Sequence, residues 1–343
     1  MSILKVDEIK GSDGGNTALV NDAYVRTGII DPDNKIINGA FDFWQRGTSF
    51  NTMGYGPDRW LGSQSGGTCV YSRQDFPLGT KLGNNNPTYF LRYSVSGHTL
   101  ANNYAAPFQP IENVSSYAGQ TITVLGWARR SSGSGNMTVE MAQIFGTGGT
   151  PSSMVTGIGV KPVSLTSSWQ PFAATIDVPS VSGKTIGTNN DDWVGLVFWL
   201  SAGSTYSARS GNLGFQTLDV DFWGIHIKLG THTTDACDLY YAPNLSDEAL
   251  RCYRYYYTSV RNSTNNSYLY TNVAAANQYC RRMVLPVPMR KIPTISFTTP
   301  TYVNASTMVM TAEDNTSWLE TVTSLAAGGY GASGYTVTFN AEF

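Results

Sequence analysis

Close pairs of carboxylates and three histidines are the side chains of this chain that could perform acid–base chemistry. A glycosidase needs two carboxylates that flank one glycosidic bond, and adjacent residues of a strand point to opposite faces of a sheet. Neighbouring acids therefore do not supply that geometry. We interpret the paired acids as solvated loop carboxylates or as residues at the border of a buried sheet: Asp191 and Asp192, Asp219 and Asp221, and Glu313 and Asp314.

Signatures of nucleophilic or phosphate chemistry do not occur in the sequence. The chain has only three histidines, His98, His226 and His232, and so offers few candidates for the base of a catalytic triad. Neither GxSxG nor HExxH is present. The GTGG run at Gly146 lacks the lysine of a phosphate-binding loop. The repeated coils of a β-helix are also missing. We expect a protein without catalytic residues.

Cysteines and acids do not suggest a metal site. The four cysteines are far apart and lack the CxxC and Cys/His spacings of zinc ligands. We expect buried free thiols, and the only pairing that deserves a test is Cys252 with Cys280. No dense loop of oxygen ligands suits Ca²⁺, so no cofactor is expected, although sandwich folds often carry a structural calcium ion.

Sugar binding requires less specialised residues than catalysis. An aromatic ring covers the apolar face of a pyranose, while amides and carboxylates bind its hydroxyl groups. The alternative interpretation of such residues is an ordinary polar loop tip with a partly buried aromatic ring. The candidate glycan contacts in the loops of this chain are Tyr104, Asn189, Asn190, Asp191, Trp193 and Tyr206.

Composition narrows the classes of partner. Only 13% of the 343 residues are charged, against about 25% in an ordinary soluble domain. The formal net charge is −2, and no run of lysine or arginine occurs, so nucleic acid is not an expected partner. The N-terminal MSILKVDEIKGSDGG lacks the features of a signal peptide, and no apolar window is long enough to span a bilayer. We expect synthesis in the cytoplasm and no membrane insertion.

Alternating apolar and polar residues predict β-strands along most of the chain, most clearly over 89–96 and 137–142. The run WVGLVFWL, 193–200, is apolar on both faces and favours a central strand that is covered on both sides. One helix is indicated by the capping residue Asn244 and the acids that follow it in NLSDEALRCYRYY. The last strand alternates up to Phe343 and is expected to be packed. These patterns predict an all-β fold.

The chain divides into three predicted parts. Residues 1–36 form a polar leader that is too small to fold alone. Residues 37–235 form a β-sandwich of the jelly-roll kind, and residues 236–343 form a short helix followed by a smaller antiparallel β-domain.

Six segments in a fixed order carry a resemblance to a known family. They are NGAFDFWQRGTSF at 38–50, YGPDRW at 55–60, QTITVLGWARRSSGSGNMTVEMAQIFGTGGTPS at 120–152, SWQPFAATIDVPSVSGKTIGTNNDDWVGLVFWLSAG at 168–203, DEALRCYRYY at 247–256 and LPVPMRKIPTISF at 285–297. In this order they resemble a family of bacteriophage virion proteins, chiefly tail-fibre and other receptor-binding components. The sandwich of that family is similar to carbohydrate-binding modules. The chain departs from the family at DACDLYY, 235–241, where a Thr-Pro-Phe-like turn is expected to end the sandwich.

The resemblance implies a virion structural protein that binds a bacterial surface glycan, without enzymatic activity, during host adsorption. It implies that the leader attaches the protein to other virion proteins and that the chain assembles as a homotrimer. An alternative is a purely architectural virion protein, such as a head decoration, head fibre or connector, that binds no glycan. A polysaccharide-degrading tailspike is a third, less favoured reading.

The aromatic and charged residues near the N-terminus are interpreted as structural. Trp44 and Trp60 are expected to fill the core with their indole N–H groups satisfied. Arg46 and the pair Asp58/Arg59 are expected to tie the incoming strand to neighbouring backbone through charge-assisted hydrogen bonds.

Overall fold

A computed structural model describes residues 33–261, 269–273, 278–325 and 328–343. The chain forms two compact units, 1–245 and 246–343. The sequence placed the limit between them at 235/236, ten residues earlier. The virion-attachment leader falls outside the described residues except for its last four. None of the helices in the described ranges is long and apolar enough to cross a membrane.

Two six-stranded antiparallel sheets build the N-terminal unit, with strands numbered in chain order. The first sheet has the spatial order β1 (Ser49–Phe50), β5 (Thr68–Asp75), β6 (Tyr89–Ser96), β15 (Leu218–Leu229), β9 (Thr121–Arg130), β12 (Gln170–Asp177). The second has the order β11 (Val155–Leu165), β10 (Gly135–Ile144), β13 (Trp193–Trp199), β8 (Phe108–Glu112), β3 (Leu61–Gly62), β2 (Gly54–Tyr55). A small sheet joins β14 (Ser201–Ala202), β7 (Tyr104–Ala105) and β4 (Gln64–Ser65).

The chain crosses repeatedly between the two large sheets, as in a jelly roll. It passes from β8 in the second sheet to β9 in the first and back to β10 and β11, then through β12, β13 and β15 in alternation. Every strand pair is antiparallel, and the core lies between the sheets. Phe198 of the second sheet meets Phe222 of the first with ring centroids 5.1 Å apart. The predicted all-β jelly-roll sandwich is therefore confirmed.

Strand β13 is central, as its sequence predicts. It lies between β10 and β8, with Val194, Leu196 and Phe198 buried toward the core. Because side chains alternate along a strand, Trp193, Val197 and Trp199 project from the outer face of the second sheet. Apolar residues on that outer face are what make the run apolar on both sides.

The aromatic opening segment packs as predicted. Trp60 is 1% exposed, and its Nε1 donates to the Asn38 carbonyl at 3.1 Å. Trp44 Nε1 donates to a backbone carbonyl at 2.6 Å. Buried Asp58 pairs with Arg46 at 3.3 Å, and the buried Arg59 guanidinium donates to a carbonyl of β8. Charge-assisted bonds thus fix the entry of the chain into the sandwich.

The sandwich includes residues that the sequence assigned to the leader. Ile36 is 2% exposed and belongs to the core. Asn34 Oδ1 accepts hydrogen bonds from the backbone N–H groups of Ile36 and Ile227 at 3.2 and 3.1 Å. Residues 34–36 are thereby attached to strand β15.

In the described residues of the C-terminal unit, the structure contains one helix and three antiparallel three-stranded sheets. A short helix of the first unit, α1 (Ser207–Ser210), precedes it, and the predicted helix is α2 (Leu245–Tyr253). The sheets have the orders β16 (Tyr256–Arg261), β24 (Tyr335–Asn340), β19 (Thr294–Phe297); β17 (Leu269–Val273), β23 (Gly328–Ser333), β20 (Thr301–Val303); and β18 (Gln278–Val284), β22 (Ser317–Ser324), β21 (Ala305–Ala312). In β24 and the residues after it, alternate side chains are buried, namely Tyr335, Val337, Phe339 and Ala341.

All four cysteines are free thiols, so the tested pairing of Cys252 with Cys280 is not formed. Cys69, Cys237 and Cys252 are buried, and burial raises the pKa of the Cys69 thiol to about 12. Cys280 is exposed and lies 3.1 Å from the Thr321 hydroxyl. The prediction of a buried thiol is wrong at Cys280, because that position faces outward from β18.

Candidate functional site

A cleft of about 290 Å³ opens on the outer face of the second sheet. Strands β8, β10 and β13 form its floor, and the turn at 204–206 with helix α1 closes one end. Its lining is mainly aromatic and aliphatic, with a few polar groups. The lining residues are Ser63, Tyr104, Ala106, Phe108, Ala142, Ile144, Met154, Thr156, Trp193, Val197, Trp199, Tyr206 and Arg209.

Two parallel aromatic rings form a platform in this cleft. The indole of Trp193 stacks on Phe108 with ring centroids 5.5 Å apart and planes inclined by only 9°. Both side chains are half-buried. Gly195 leaves the space for this arrangement, because a Cβ there would lie 2.7 Å from the indole of Trp193. The glycine therefore permits the indole to lie flat over the strand.

A second aromatic group lies at the closed end of the cleft. Tyr206 lies 4.9 Å from Tyr104 and 5.3 Å from Trp199, measured between ring centroids. The Tyr104 hydroxyl lies 3.2 Å from the hydroxyl of Ser63, which fixes the phenol ring. The chain segment before α1 thus contributes a wall and the sheet contributes the floor.

A buried carboxylate holds this end of the cleft in place. Glu140 of β10 is fully buried and accepts two hydrogen bonds from Arg209, Nε to Oε1 at 2.8 Å and Nη2 to Oε2 at 3.1 Å. It also accepts the indole N–H of Trp199 at 2.6 Å and the Gly157 N–H at 2.5 Å. The Arg209 guanidinium lies 5.0 Å above the Trp199 ring. These bonds anchor α1 to the sheet.

The arrangement is suited to binding. The cleft lining contains no carboxylate, and Glu140 is engaged by four donors behind Trp199 and Arg209. The polar groups available beside the rings are hydroxyls and the Arg209 guanidinium, which is 31% exposed. Such groups can bind sugar hydroxyls, while the rings pack against an apolar face.

Three of the six predicted contact residues lie together in this cleft. Tyr104, Trp193 and Tyr206 come from β7, β13 and the turn before α1, and all three line it. Their role in binding a glycan stays a prediction. The sequence had no means of showing that these three segments meet.

The other three predicted contacts lie in a loop before β13 and outside the cleft lining. Asp191 Oδ1 accepts the backbone N–H of Thr147 at 2.7 Å, and Asn189 Nδ2 donates to the Thr147 hydroxyl at 3.0 Å. Asn190 is exposed and has a positive φ of 52°. The loops at 146–150 and 187–192 are therefore joined by these side chains.

Sequence reasoning missed Phe108, Trp199, Glu140 and Arg209. Alternation within WVGLVFWL does place Trp199 on the same face as Trp193, so this signal was present in the sequence. Phe108 becomes a partner of Trp193 only through the register of β8 against β13, in which Val197 lies opposite Phe108. That register is a tertiary property.

The acid and histidine candidates for chemistry occupy structural positions. Asp221 is fully buried between two arginines, so the interpretation of solvated acids is wrong at this residue, because arginine pairing offsets its desolvation. His98 Nδ1 lies 3.0 Å from the Ser201 hydroxyl, but both side chains are buried. Within the described ranges, no group of three or more His, Cys, Asp or Glu residues is placed to hold a metal ion.

No protein-family model and no curated protein matches the sequence. Among solved structures the chain is similar to carbohydrate-binding modules. A family 11 module from Clostridium thermocellum in complex with a β-1,3-1,4-mixed-linked tetrasaccharide is 11% identical, with a TM-score of 0.31 over 52% of this chain and 95% of that one. The N-terminal cellulose-binding domain of Cellulomonas fimi β-1,4-glucanase C is 13% identical, with a TM-score of 0.32 over 54% and 97%. At these scores the fold assignment rests on the strand order given above.

Proposed function

We propose that this chain is a non-enzymatic glycan-binding protein that holds a sugar chain in the cleft on the second sheet. The observation that carries the proposal is the parallel pair of Trp193 and Phe108 in an open cleft. Flat, half-exposed rings beside hydroxyl and guanidinium donors match the apolar faces and the hydroxyl groups of a pyranose. The residues Tyr104, Trp199 and Tyr206 give the cleft a closed end, which favours binding of a chain terminus or a bent chain.

Rigidity of the cleft supports this function. Its platform residues lie on paired strands, and Arg209 and Trp199 are fixed by Glu140. A site that is ordered before binding loses little conformational entropy when the ligand arrives. The cleft therefore needs no folding step to receive a sugar.

We further propose that the protein is part of a bacteriophage virion, as a tail fibre or similar fibre component that recognises a surface polysaccharide of the host. This proposal is supported by the six ordered sequence segments that resemble tail-fibre and receptor-binding virion proteins. In this role residues 1–32 attach the protein to other virion proteins.

The test measures binding of the intact protein to a panel of bacterial surface polysaccharides, followed by calorimetric titration with the best ligand. We expect Trp193→Ala to weaken binding by about 30-fold, which corresponds to about 2 kcal/mol for a central aromatic contact. Phe215→Ala is the matched control, because Phe215 is an exposed aromatic residue outside the cleft lining. The Phe215→Ala variant should bind the polysaccharide with the same affinity as the parent.

Three outcomes would contradict the proposal. If Trp193→Ala and Phe215→Ala bind the polysaccharide with equal affinity, the cleft is not the binding site. No binding to any polysaccharide, together with no attachment to host cells that periodate oxidation of their glycans abolishes, would favour the purely architectural alternative. Release of reducing ends during incubation would instead show an enzyme.

A further inference from the structure

The outer face of the first sheet carries two arginines that share one buried carboxylate. Asp221 of β15 lies opposite Arg92 of β6 on one side and Arg129 of β9 on the other. Arg92 Nε and Nη2 donate to the two Asp221 oxygens at 2.7 and 2.8 Å, and Arg129 Nε donates to Oδ2 at 2.8 Å. Asp221 is inaccessible to solvent, whereas the arginine side chains are 24% and 28% exposed.

Aromatic rings restrain the Arg129 guanidinium. Its Cζ lies 4.9 Å from the centroid of Trp169 and 5.4 Å from that of Phe90. Trp169 in turn packs edge-on against Phe90, with centroids 5.4 Å apart. Stacking on aromatic rings and a bond to a fixed carboxylate leave a guanidinium little freedom. Arg129 is therefore ordered without any ligand.

Donors remain available on this pair of arginines. Only Nε of Arg129 has a hydrogen-bond partner among the described residues, so both of its Nη groups are unused. Arg92 uses Nε and Nη2, which leaves its Nη1. An ordered guanidinium with a free pair of N–H groups is the geometry that binds a planar carboxylate through two parallel hydrogen bonds.

Neighbouring groups extend the site toward a sugar ligand. Ser72 of β5 lies opposite Arg92, and Gln74 Nε2 donates to the Ser72 hydroxyl at 3.0 Å. A hydroxyl and an amide thus lie on the same face as the two arginines, on the side of Arg92. Asp219 lies two residues before Asp221 and faces Ser131, whose hydroxyl donates to it at 3.1 Å. Hydrogen bonding to Asp221 raises the pKa of Arg92 against the opposing effect of burial, and the charges of Asp221 and Asp219 add to this rise.

We propose that this face is a second ligand site, which binds the carboxylate of one acidic sugar residue to Arg129 and the hydroxyl groups of other residues of the same saccharide chain to Ser72 and Gln74. The site lies on the sheet opposite the aromatic cleft. It goes beyond the proposed function, because it selects for acidic saccharides and does not depend on the cleft.

The test titrates the full-length protein with trigalacturonate and, in parallel, with neutral galactotriose. Arg129→Gln should weaken trigalacturonate binding by roughly 10- to 100-fold through loss of charge-assisted hydrogen bonds. Arg129→Lys should lose most of this binding as well, because an ammonium cannot form the paired bonds. Arg130→Gln is the matched control: it removes the same charge from the next residue, whose side chain donates to the carbonyls of Ser134 and Thr217.

Thermal unfolding of each variant separates binding from folding. Asp221 keeps both bonds from Arg92 when Arg129 is replaced, so the variant should remain folded. Equal binding of galactotriose and trigalacturonate, or equal weakening by Arg129→Gln and Arg130→Gln, would overturn the proposal. Binding of inorganic sulfate with the same affinity as trigalacturonate would also overturn it, by showing a general anion contact. Trp193→Ala should leave trigalacturonate binding at this face intact, so failure of this site and failure of the cleft are distinguishable.

Discussion

Acidification should destabilise the sandwich through the buried side chain of His226. His226 is 2% exposed and lies in β15, where the pairing with β9 contains an irregularity between Trp223 and His226. Its ring stacks on Tyr240 with centroids 4.6 Å apart, and its Nδ1 lies 2.8 Å from the Gly224 carbonyl. Burial lowers the pKa of His226 from 6.5 to about 4, opposed by the hydrogen bond to Gly224 and assisted by nearby Lys228 and His232.

The size and sign of the effect follow from proton linkage. The folded state holds His226 neutral at a pH where the unfolded chain binds a proton, so stability is complete above pH 6.5 and is lost as the pH falls toward 4. Lowering the pKa of His226 to about 4 corresponds to a loss of ~3 kcal/mol once both states are protonated. At pH 5 the same relation gives a loss of ~2 kcal/mol.

Urea unfolding of the parent and of His226→Gln at pH 7 and pH 5 measures this loss. Other groups also titrate in this range, so the informative quantity is the difference between the two proteins at each pH. We expect the parent to lose ~2 kcal/mol more than His226→Gln on going from pH 7 to pH 5. His232→Gln is the matched control, because it removes a half-exposed imidazole and leaves the buried His226 in place, so it should keep most of the loss seen in the parent.

An identical pH dependence in the parent and His226→Gln would refute this reasoning. It would mean that His226 is protonated in the folded state without a loss of stability, for example because its Nε2 donates a hydrogen bond to water. A proton-detected titration of the His226 ring with an apparent pKa near 6.5 in the folded protein would lead to the same conclusion.

Three further predictions concern the core, the leader and the assembly. Trp60→Ala should reduce the free energy of unfolding by about 3 to 5 kcal/mol as a buried large-to-small change, and a melting curve like that of the parent would show that Trp60 is not a core residue. Deletion of residues 1–32 should preserve the melting temperature but abolish incorporation into virions, and particles that carry the truncated protein at full occupancy would exclude an anchoring role. The protein should have the mass of a homotrimer in solution, since the C-terminal unit exposes Val284 and Val309, which are 78% and 56% accessible. A stable monomer at micromolar concentration, from which Phe343 can be removed without loss of stability, would contradict both the trimer and the packed C-terminus.

The sequence was sufficient for the type and position of the elements with the clearest patterns. Alternation over 89–96 and 137–142 predicted strands that the structure contains as β6 and β10, and the capped pattern after Asn244 predicted α2. These features are local, because the spacing of apolar residues that indicates a strand or a helix involves residues close together in the chain. The burial of Trp60 and the bonds of Asp58 followed from the same kind of reasoning.

The candidate site was only partly accessible in this way. The sequence predicts Tyr104, Trp193 and Tyr206 as sugar contacts because they are aromatic residues in polar loops. It predicts Asn189 and Asp191 as sugar contacts too, and nothing in the sequence separates the two sets by position. The structure separates the two sets, since the first lines the cleft while the second joins two loops. Composition identifies residues that can bind a sugar, but it contains no information about which of them share a surface.

Tertiary structure alone decided the pairing of residues across strands. Phe108 meets Trp193 because β8 and β13 pair in one register, and a shift by one residue would turn every side chain of a strand to the other face. Asp221 is a buried ion-pair partner because β15 lies between β6 and β9, which are distant from it in the chain. The sequence by itself determined that this protein is a sandwich of alternating strands. The strand order and the registers determined where its binding surfaces lie. Both depend on which core side chains fit together between the sheets, and this fit is a property of the folded chain.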